Sequence, residues 1–320
     1  MDKRVFGPVP TRRLGQSLGI DPVPLKTCNW NCVYCQLGRS QPVTNVRKEY
    51  FDPDDILSQV REALNAHAAG EIDWITFVGS GETCLHAGVG KLIRGVKSMT
   101  DLPVAVITNG SLLYLPEVRE ALLPADAVLP SLDAGSAHLY RRINRALPEL
   151  SFERLVDGLI RFRQEYAGRL WVEVMLVKGL NESEEALKEI ASVLTQINPD
   201  EVHIVTPTRP PVETWVEAPD EDGLLRARAI LGNVAEIVHP ATGAFDFSGA
   251  ENLVDAIVSI ITRHPMRESE LKEALSPWSA DEIRWTLEQL EHSGRAQIVE
   301  RHGTRFWRAA GTYFPDLDRD

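Results

Sequence analysis

The sequence lacks three features that would each place it in a broad class of proteins. It has no run of about eighteen consecutive apolar residues, which predicts that it does not span a membrane. Its first residues, MDKRVFGPVP, lack the apolar core of a signal peptide, so we expect a cytoplasmic protein. It also lacks a basic surplus, because 34 lysines and arginines face 46 acidic residues and the net charge is −12. This balance argues against a broadly basic nucleic-acid binder.

Cysteine is scarce, and its distribution is uneven. Of the four cysteines in the chain, three lie between Cys28 and Cys35 with the spacing C-x3-C-x2-C. Disulfides do not persist in a reducing cytosol, and three thiols cannot all pair with one another. A short loop with this spacing can turn three thiolates toward one point, which suits a soft metal centre. The eight histidines show no ligand spacing, so none is assigned to a metal.

Two alternatives to an iron–sulfur cluster stay open at this point. Zinc is the first, but a closed structural zinc site takes four ligands, usually as two separated pairs. The remaining cysteine, Cys84, has no Cys-x2-Cys partner. Free structural cysteines are the second alternative. A cubane cluster held by three thiolates, in contrast, has one iron without a protein ligand, and that iron can bind a small molecule.

The cysteine segment, KTCNWNCVYCQLG, resembles the signature of the radical S-adenosylmethionine (SAM) superfamily. An aromatic residue, Tyr34, directly precedes the last cysteine, as in that signature. The resemblance implies that a 4Fe–4S cluster is bound by Cys28, Cys32 and Cys35. It also implies that SAM binds the open iron and that Tyr34 packs against the adenine.

A second segment, TFVGSGETCL, resembles the Gly-Gly-Glu segment with which that superfamily receives the amino group of SAM. Gly79 and Gly81 let the backbone approach a ligand closely, and Glu82 can accept a hydrogen bond from an ammonium group. Ser80 departs from the pattern, since the family often has a second adjacent glycine there. The alternative interpretation of Glu82 is a helix cap. Cys84, two residues later, is expected to be a small packed residue, with a substrate-side thiol as the alternative.

Three later segments, VITNGSL, VLPSLDAG and LWVEVMLVKGLNES, resemble the next strand ends of the family. The resemblance implies SAM contacts at Asn109, Ser131, Asp133 and Glu173. Three of these positions also have a structural alternative. Asn109 begins an Asn-Gly turn, Asp133 can cap the helix predicted after it, and Glu173 can pair with a buried arginine.

The resemblance covers roughly residues 5–208, and the opening segment is similar to a subgroup of stand-alone iron–sulfur oxidoreductases related to wybutosine-type enzymes. It implies that SAM is cleaved to a 5′-deoxyadenosyl radical, which takes a hydrogen atom from a substrate. A peptide, protein or RNA substrate is favoured, and a flavodoxin or ferredoxin type protein is the expected one-electron donor. The alternative is an iron–sulfur or zinc redox-sensing regulator.

The order of apolar and amphipathic segments predicts an α/β fold. Short apolar runs that read as buried strands alternate with segments of helical spacing, and such alternation predicts a parallel sheet with its site beyond the carboxyl ends of the strands. About six units can be counted, so we predict a partial (β/α)6 TIM-like barrel. The predicted strands are 75–78, 104–107, 127–129, 172–177 and 202–205. The predicted helices are 53–68, 89–99, 116–123, 152–166 and 184–197, with N-caps at Asp52 and Ser151.

The chain is predicted to divide into a core over 1–250 and a small winged-helix-like domain over 251–320. Within 252–310 the pattern gives three helices, a C-cap at Gly294 and a two-stranded wing that holds four arginines, Phe306 and Trp307. The third helix is acidic, which disfavours DNA and favours a protein contact or a polypeptide substrate. Four further residues are candidates for substrate contact: Arg12, Arg13, Arg209 and Trp215.

Overall fold

The computed structural model describes residues 3–11, 13–238, 252–275, 278–301 and 303–310. The core contains eight strands: β1 (Val5–Thr11), β2 (Gly15–Ile20), β3 (Trp74–Phe77), β4 (Val104–Thr108), β5 (Ala127–Pro130), β6 (Arg169–Met175), β7 (Glu201–Val205) and β8 (Ala235–Ile237). Its helices are α1 (Pro53–Ala66), α2 (Val89–Lys97), α3 (Pro116–Leu122), α4 (Ala137–Ile143), α5 (Phe152–Glu165), α6 (Glu184–Ile197) and α7 (Glu221–Leu231). In the described part of the chain, no helix combines the length and the apolar composition that a bilayer crossing requires.

The strands form one sheet in chain order, from β1 to β8. Strands β2 to β8 pair in parallel, and β1 pairs antiparallel with β2. No pairing joins β1 to β8 within the described residues, so the sheet is open. The prediction of a parallel α/β sheet of the partial-barrel type is confirmed. The sheet has more parallel strands than predicted, because β2 and β8 extend it at its two ends.

Local capping signals fix where two of the helices begin. The side chain of Asp52 accepts a hydrogen bond from the amide of Asp54, and Pro53 occupies the first helical position of α1. Ser151 accepts from the amide of Arg154 at the start of α5. Both predicted N-caps are therefore confirmed, and each satisfies an amide that has no partner within its helix.

The two faces of the sheet are packed differently. On β4, Val104 and Val106 join the main core against the helices, whereas Ala105 points to the opposite face. There it joins a smaller cluster that includes Trp171 of β6 and Leu14 from the turn between β1 and β2. The apolar cluster fills this face at the level of the strand interiors, and the polar residues predicted from the sequence lie at or beyond the carboxyl ends.

The C-terminal module contains α8 (Leu253–Arg263), β9 (Met266–Arg267), α9 (Glu268–Ala274), α10 (Ala280–His292), β10 (Ala296–Arg301) and β11 (Thr304–Ala309). Its strands form an antiparallel sheet in the order β10–β11–β9. Gly294 follows α10 with φ of 66°, as expected of a helix C-cap. Strand β9 was not predicted, because two residues give no periodic signal. The winged-helix assignment stays a prediction, and the domain boundary near residue 250 lies outside the described residues.

The wing of this module is turned toward the core. The guanidinium of Arg301 donates to the carbonyls of Pro207, Arg209 and Val216 at 3.1, 2.6 and 3.0 Å. Phe306, Trp307 and Arg308 are buried. The wing therefore does not present its arginines and aromatic rings as one exposed surface. Arg209 in turn donates to the carbonyl of Pro265, so this candidate for substrate contact joins the module to the core, while Trp215 is half exposed.

A buried histidine makes the stability of the core depend on pH. The Nδ1 atom of His86 accepts from the amide of Gly88 at 3.1 Å, so its Nε2–H donates to the carbonyl of Phe51 at 3.0 Å. Burial lowers the pKa of His86 below its ordinary value of 6.5, although the carbonyl of Phe51 opposes this. The folded protein therefore holds a neutral ring that the unfolded chain protonates more readily. Stability should fall as the pH drops below 6.5, by up to about 1.4 kcal/mol per pH unit.

We expect His86→Asn to flatten this dependence, because asparagine keeps an acceptor for Gly88 but does not titrate. The measurement is the free energy of unfolding in urea at pH 7.5 and pH 5.5. The exposed His138→Asn variant is the control and should keep the wild-type dependence. An unchanged pH dependence in His86→Asn would show that this ring contributes nothing to acid lability.

Candidate functional site

The three clustered cysteines lie on the long loop between β2 and α1, which we call the cysteine loop (residues 21–52). The loop is attached to the end of α4 by two backbone bonds. The amide of Asn31 donates to the carbonyl of Asn144 at 3.0 Å, and that of Val33 donates to Ile143 at 2.9 Å. The loop is thus fixed at the helix side of the site.

Each of the three half-buried thiols has a polar neighbour. The ammonium of Lys26 donates to the sulfur of Cys35 at 3.2 Å. The amide of Trp30 lies 3.4 Å from the sulfur of Cys28, and Nδ2 of Asn144 lies 3.7 Å from that of Cys32. These donors stabilise negative charge on sulfur, as the hydrogen bonds around a metal-bound thiolate do.

The three thiols, Lys26 and Glu82 act on one another through their charges. Burial raises the pKa of Cys28 to about 11, against the attraction of Lys26, and the charges of Glu82 and Cys35 raise it further. Burial raises the pKa of Cys32 well above its ordinary value, followed by the charges of Asp133 and of both other cysteines. Burial lowers the pKa of Lys26, but the three thiolates outweigh it and the net direction is upward. The structure therefore brings the three thiols and Glu82 to one site.

The cysteine loop is joined to the segment after β3 through the backbone. The amide of Lys26 donates to the carbonyl of Ser80 at 2.6 Å, and the amide of Glu82 donates to the carbonyl of Thr27 at 2.8 Å. A Cβ atom at Gly81 would lie 1.9 Å from the same Thr27 oxygen. Only glycine leaves room for this approach, which accounts for Gly81 physically.

Glu82 is buried, and its carboxylate is largely satisfied by the chain itself. Its Oε1 accepts from the amide of Cys84 at 2.9 Å and from the hydroxyl of Thr108 at 2.5 Å. Its Oε2 accepts from the amide of Asn109 at 2.7 Å. Burial raises the pKa of Glu82, while these hydrogen bonds oppose the shift. Glu82 therefore caps the short turn at Thr83–Leu85.

Asn109 connects the end of β4 to the cysteine loop. Its Nδ2 donates to Oδ1 of Asn29 at 2.7 Å, and its Oδ1 accepts from the amide of Ser111 at 2.9 Å. Asn29 also donates to the hydroxyl of Ser111 at 2.8 Å. The Asn-Gly turn that the sequence indicates is present, because Gly110 has φ of 76°. The side chain holds the loop in addition to shaping this turn.

Asp133 anchors the aromatic residue of the cysteine motif. Its Oδ2 accepts from the hydroxyl of Tyr34 at 2.5 Å and from Nδ2 of Asn144 at 2.6 Å, and its Oδ1 accepts from the amide of Met175 at 2.9 Å. The helix-cap alternative for Asp133 is wrong, because α4 starts after Ser136 and the carboxylate is occupied by these three donors.

Glu173 forms an ion pair with Arg13 from the turn between β1 and β2. Of the two interpretations that the sequence leaves open, the structure shows the arginine partner. Ser131 lies beside Glu173 on the neighbouring strand and is half-buried. Arg12 lies outside the described residues. Cys84 is buried in the main core, as expected for a small packed residue.

Several residues of this site were missed by the sequence analysis. Asp21 had a signal, because it is a polar residue directly after β2, in the position that marked the other strand ends. Lys26, Asn29 and Asn144 had none, since their roles depend on partners far along the chain. Thr108 ends β4, and its bond to Glu82 likewise depends on a partner far along the chain.

The chain is similar in sequence to a known family and to several curated proteins. A family model described as the Radical SAM superfamily matches residues 23–192. Among curated proteins, the UPF0026 protein of Methanocaldococcus jannaschii is 36% identical over 275 residues, which cover 85% of each chain. The GTPase Obg of Brachyspira hyodysenteriae is 45% identical over 226 residues, 71% of this chain but 33% of that protein. This chain therefore spans about a third of that relative's length.

A solved structure supports the fold. The crystal structure of a radical SAM methyltransferase from Sphaerobacter thermophilus matches with a TM-score of 0.52 and 19% identity. The match covers 69% of this chain and 66% of that one. At this identity the likeness shows a shared architecture.

The bonds of Lys26 and Thr27 to Ser80 and Glu82, with the close approach at Gly81, form a backbone contact that we call the glycine joint. It gives a testable prediction. Gly81→Ala should cost at least about 1–3 kcal/mol and displace the cysteine loop, since the added methyl meets backbone that cannot move aside. Gly79→Ala is the matched control, because its Cβ would meet nothing nearer than a methyl of Val23 at 3.1 Å and the backbone of Gly81 at 3.3 Å. The measurements are urea unfolding and the iron bound after anaerobic reconstitution. Equal stability and equal iron content in the two variants would refute the role of the joint.

Proposed function

We propose that this chain, which belongs to the radical SAM superfamily and is an enzyme, cleaves SAM reductively at a 4Fe–4S cluster and modifies a substrate by hydrogen-atom abstraction. The observation that carries the proposal is the convergence of three thiols with a buried carboxylate across a glycine joint. A redox sensor needs the thiols but has no use for Glu82 at that position. The regulatory alternative therefore has less support.

The residues present fit the cluster. Three soft donors lie together with hydrogen-bond donors directed at their sulfurs, which is the environment of an iron–sulfur site. In the described residues, no three His, Cys, Asp or Glu side chains are grouped tightly enough for a single metal ion. A single tetrahedral zinc would require sulfurs only about 3.8 Å apart, given a Zn–S bond of about 2.3 Å. We propose Cys28, Cys32 and Cys35 as the cluster ligands.

The residues also fit SAM. We propose that the carboxylate of Glu82 binds the amino group, with the backbone of Gly79, Ser80 and Gly81 close to it. Tyr34 is held in place by Asp133, so its ring can pack against an adenine. Four residues at the neighbouring strand ends are proposed to shape the remainder of the pocket: Asn109, Ser131, Asp133 and Glu173. Asp133 does so by holding Tyr34, and Glu173 by holding Arg13.

When bound, the cluster supplies one electron that splits SAM into methionine and a 5′-deoxyadenosyl radical, and this radical takes the hydrogen atom. The chain's own contribution is positional. Lys26 and the asparagine amides stabilise charge on the ligand sulfurs, and Glu82 orients the amino group. The sheet and its buried core exclude water from the strand ends, which protects a radical from other hydrogen donors.

A cavity beside the cysteine loop supports an acidic protein as the electron donor. The cavity measures about 530 Å³, and its lining includes Lys26, Arg39 and Lys48 but no acidic residue. Lys26 spans from this cavity to the sulfur of Cys35, so the cavity is one side chain from the proposed cluster. A flavodoxin or ferredoxin type protein carries complementary charge, and complementary charge accelerates association.

For the substrate we propose a peptide or protein, with RNA as the competing outcome. The C-terminal module carries an exposed aromatic residue, Trp285, on α10, where it is 63% exposed. Asp281 and Glu288 are exposed on the same helix, one turn away on either side. This acidic and aromatic surface suits a basic polypeptide and repels phosphates. Comparison of peptides and RNA from a deletion strain separates the two, and an altered RNA base with unaltered peptides would overturn the choice.

The reaction is tested by anaerobic reconstitution with iron and sulfide, followed by dithionite and SAM. Wild-type protein should form 5′-deoxyadenosine. Cys32→Ala should lose the product and much of the iron, because one of three ligands is gone. Cys84→Ala is the control and should retain its iron, since that thiol lies in the core. Full iron loading without any cleavage of SAM would contradict the enzyme proposal.

The electron-donor surface gives a separate prediction. Lys48→Glu should lower the flavodoxin-supported rate about tenfold, because it reverses a charge in the cavity, while the dithionite-supported rate stays unchanged. Lys91→Glu makes the same charge change on the exposed lysine that pairs with Asp54, and it should have little effect on either rate. Equal losses with both reductants would mean that Lys48 acts on the site itself and not on docking.

A further inference from the structure

The C-terminal module reaches the core through Arg263, the last residue of α8. The Nε atom of Arg263 lies 3.2 Å from Oδ2 of Asp21, directly after β2. Its guanidinium carbon lies 4.4 Å from the ring centroid of Phe6, and its carbonyl accepts from Gln36 at 2.9 Å. The guanidinium is therefore held between a strand of the core and the cysteine loop, and it is itself largely buried.

Asp21 is a buried carboxylate, with 1% of its surface exposed. Its two oxygens accept from Ser80, Oδ1 from the amide at 3.0 Å and Oδ2 from the hydroxyl at 2.6 Å. A buried carboxylate is costly without a counter-charge, and Arg263 supplies one. The anion that fixes Ser80 is thus neutralised by a residue of the other module.

Ser80 is the residue at which this chain departs from the Gly-Gly-Glu pattern. Its carbonyl accepts from Lys26 at 2.6 Å, so it sits between the cysteine loop and Glu82. A glycine at this position would lose the hydroxyl bond to Asp21. The hydrogen bond to Asp21 therefore accounts for serine at position 80, and Arg263 provides the counter-charge of that buried aspartate.

We propose that Arg263 is a positioning residue for SAM, which acts through Asp21 and Ser80 to keep Glu82 and the glycine joint in place. The C-terminal module then supports the SAM site through Asp21 and Ser80. This inference rests on the proposed function.

The test uses the full-length, reconstituted protein and three variants of this pair. Arg263→Met leaves Asp21 without its counter-charge, and we expect SAM to bind about tenfold more weakly. Asp21→Asn with Arg263→Met should recover binding to within about threefold, because an amide oxygen still accepts from the Ser80 amide but needs no cation. Asp21→Asn alone should lie between these two. Binding is measured at equilibrium without reductant, so that turnover does not enter.

A second readout needs no SAM. Amide hydrogen exchange of the peptides that cover residues 79–82 should accelerate in Arg263→Met and return toward the wild-type rate in the double variant. Exchange in the helices of both modules reports whether the variants remain folded. The exchange measurement separates the proposed function from the positioning role of Arg263. If wild-type protein fails to cleave SAM, the proposed function fails. Exchange still reports on the link from Arg263 to Ser80.

Arg301→Met is the matched control for docking of the module. It removes three bonds between the module and the core without touching Asp21, and it should leave SAM affinity and exchange at 79–82 unchanged. The proposal is overturned if Arg301→Met weakens SAM as much as Arg263→Met does. It is also overturned if the double variant is as weak as Arg263→Met, or if Arg263→Met binds SAM like the wild type.

Discussion

The structure of the site depends on one backbone joint between the cysteine loop and the end of β3. Two amide–carbonyl bonds connect Lys26 and Thr27 to Ser80 and Glu82. Because Gly81 has no Cβ atom, the two backbone segments can lie in contact. Because these bonds are made by backbone, they fix the distance between the thiols and the carboxylate more firmly than flexible side chains would. The other residues of the site are arranged around the thiols and the carboxylate at this fixed distance.

The polar residues at the strand ends support the joint from three directions. Asn109 holds the loop through Asn29, Asp133 holds it through Tyr34, and Asp21 holds Ser80 from the side of β2. Much of the hydrogen-bonding capacity of these side chains is therefore used within the protein. The acids stay buried because each has donors, which is how a site can keep charged groups in an apolar surrounding without losing their orientation.

Sequence patterns predicted those parts of the molecule that local chemistry determines. The cysteine spacing, the N-caps at Asp52 and Ser151 and the alternation of strands with helices depend on neighbours in the chain. For Glu173 an arginine partner was predicted only as one of two alternatives and was not identified, since Arg13 comes from a distant turn. Arg263 and Arg301 gave no signal, because each acts across a module boundary. Long-range partners of this kind are set by the tertiary fold and leave no period in the sequence.

The central claim is that three thiolates bind a four-iron cluster and leave one iron for SAM. Mössbauer spectroscopy of protein reconstituted with isotopically enriched iron measures this directly, because it resolves the irons of a cluster individually. The account predicts that addition of SAM changes the signal of one iron in four and leaves the other three as they were. Four irons that do not respond to SAM, as a fourth protein ligand would produce, or a protein that takes up zinc in place of iron, would contradict it.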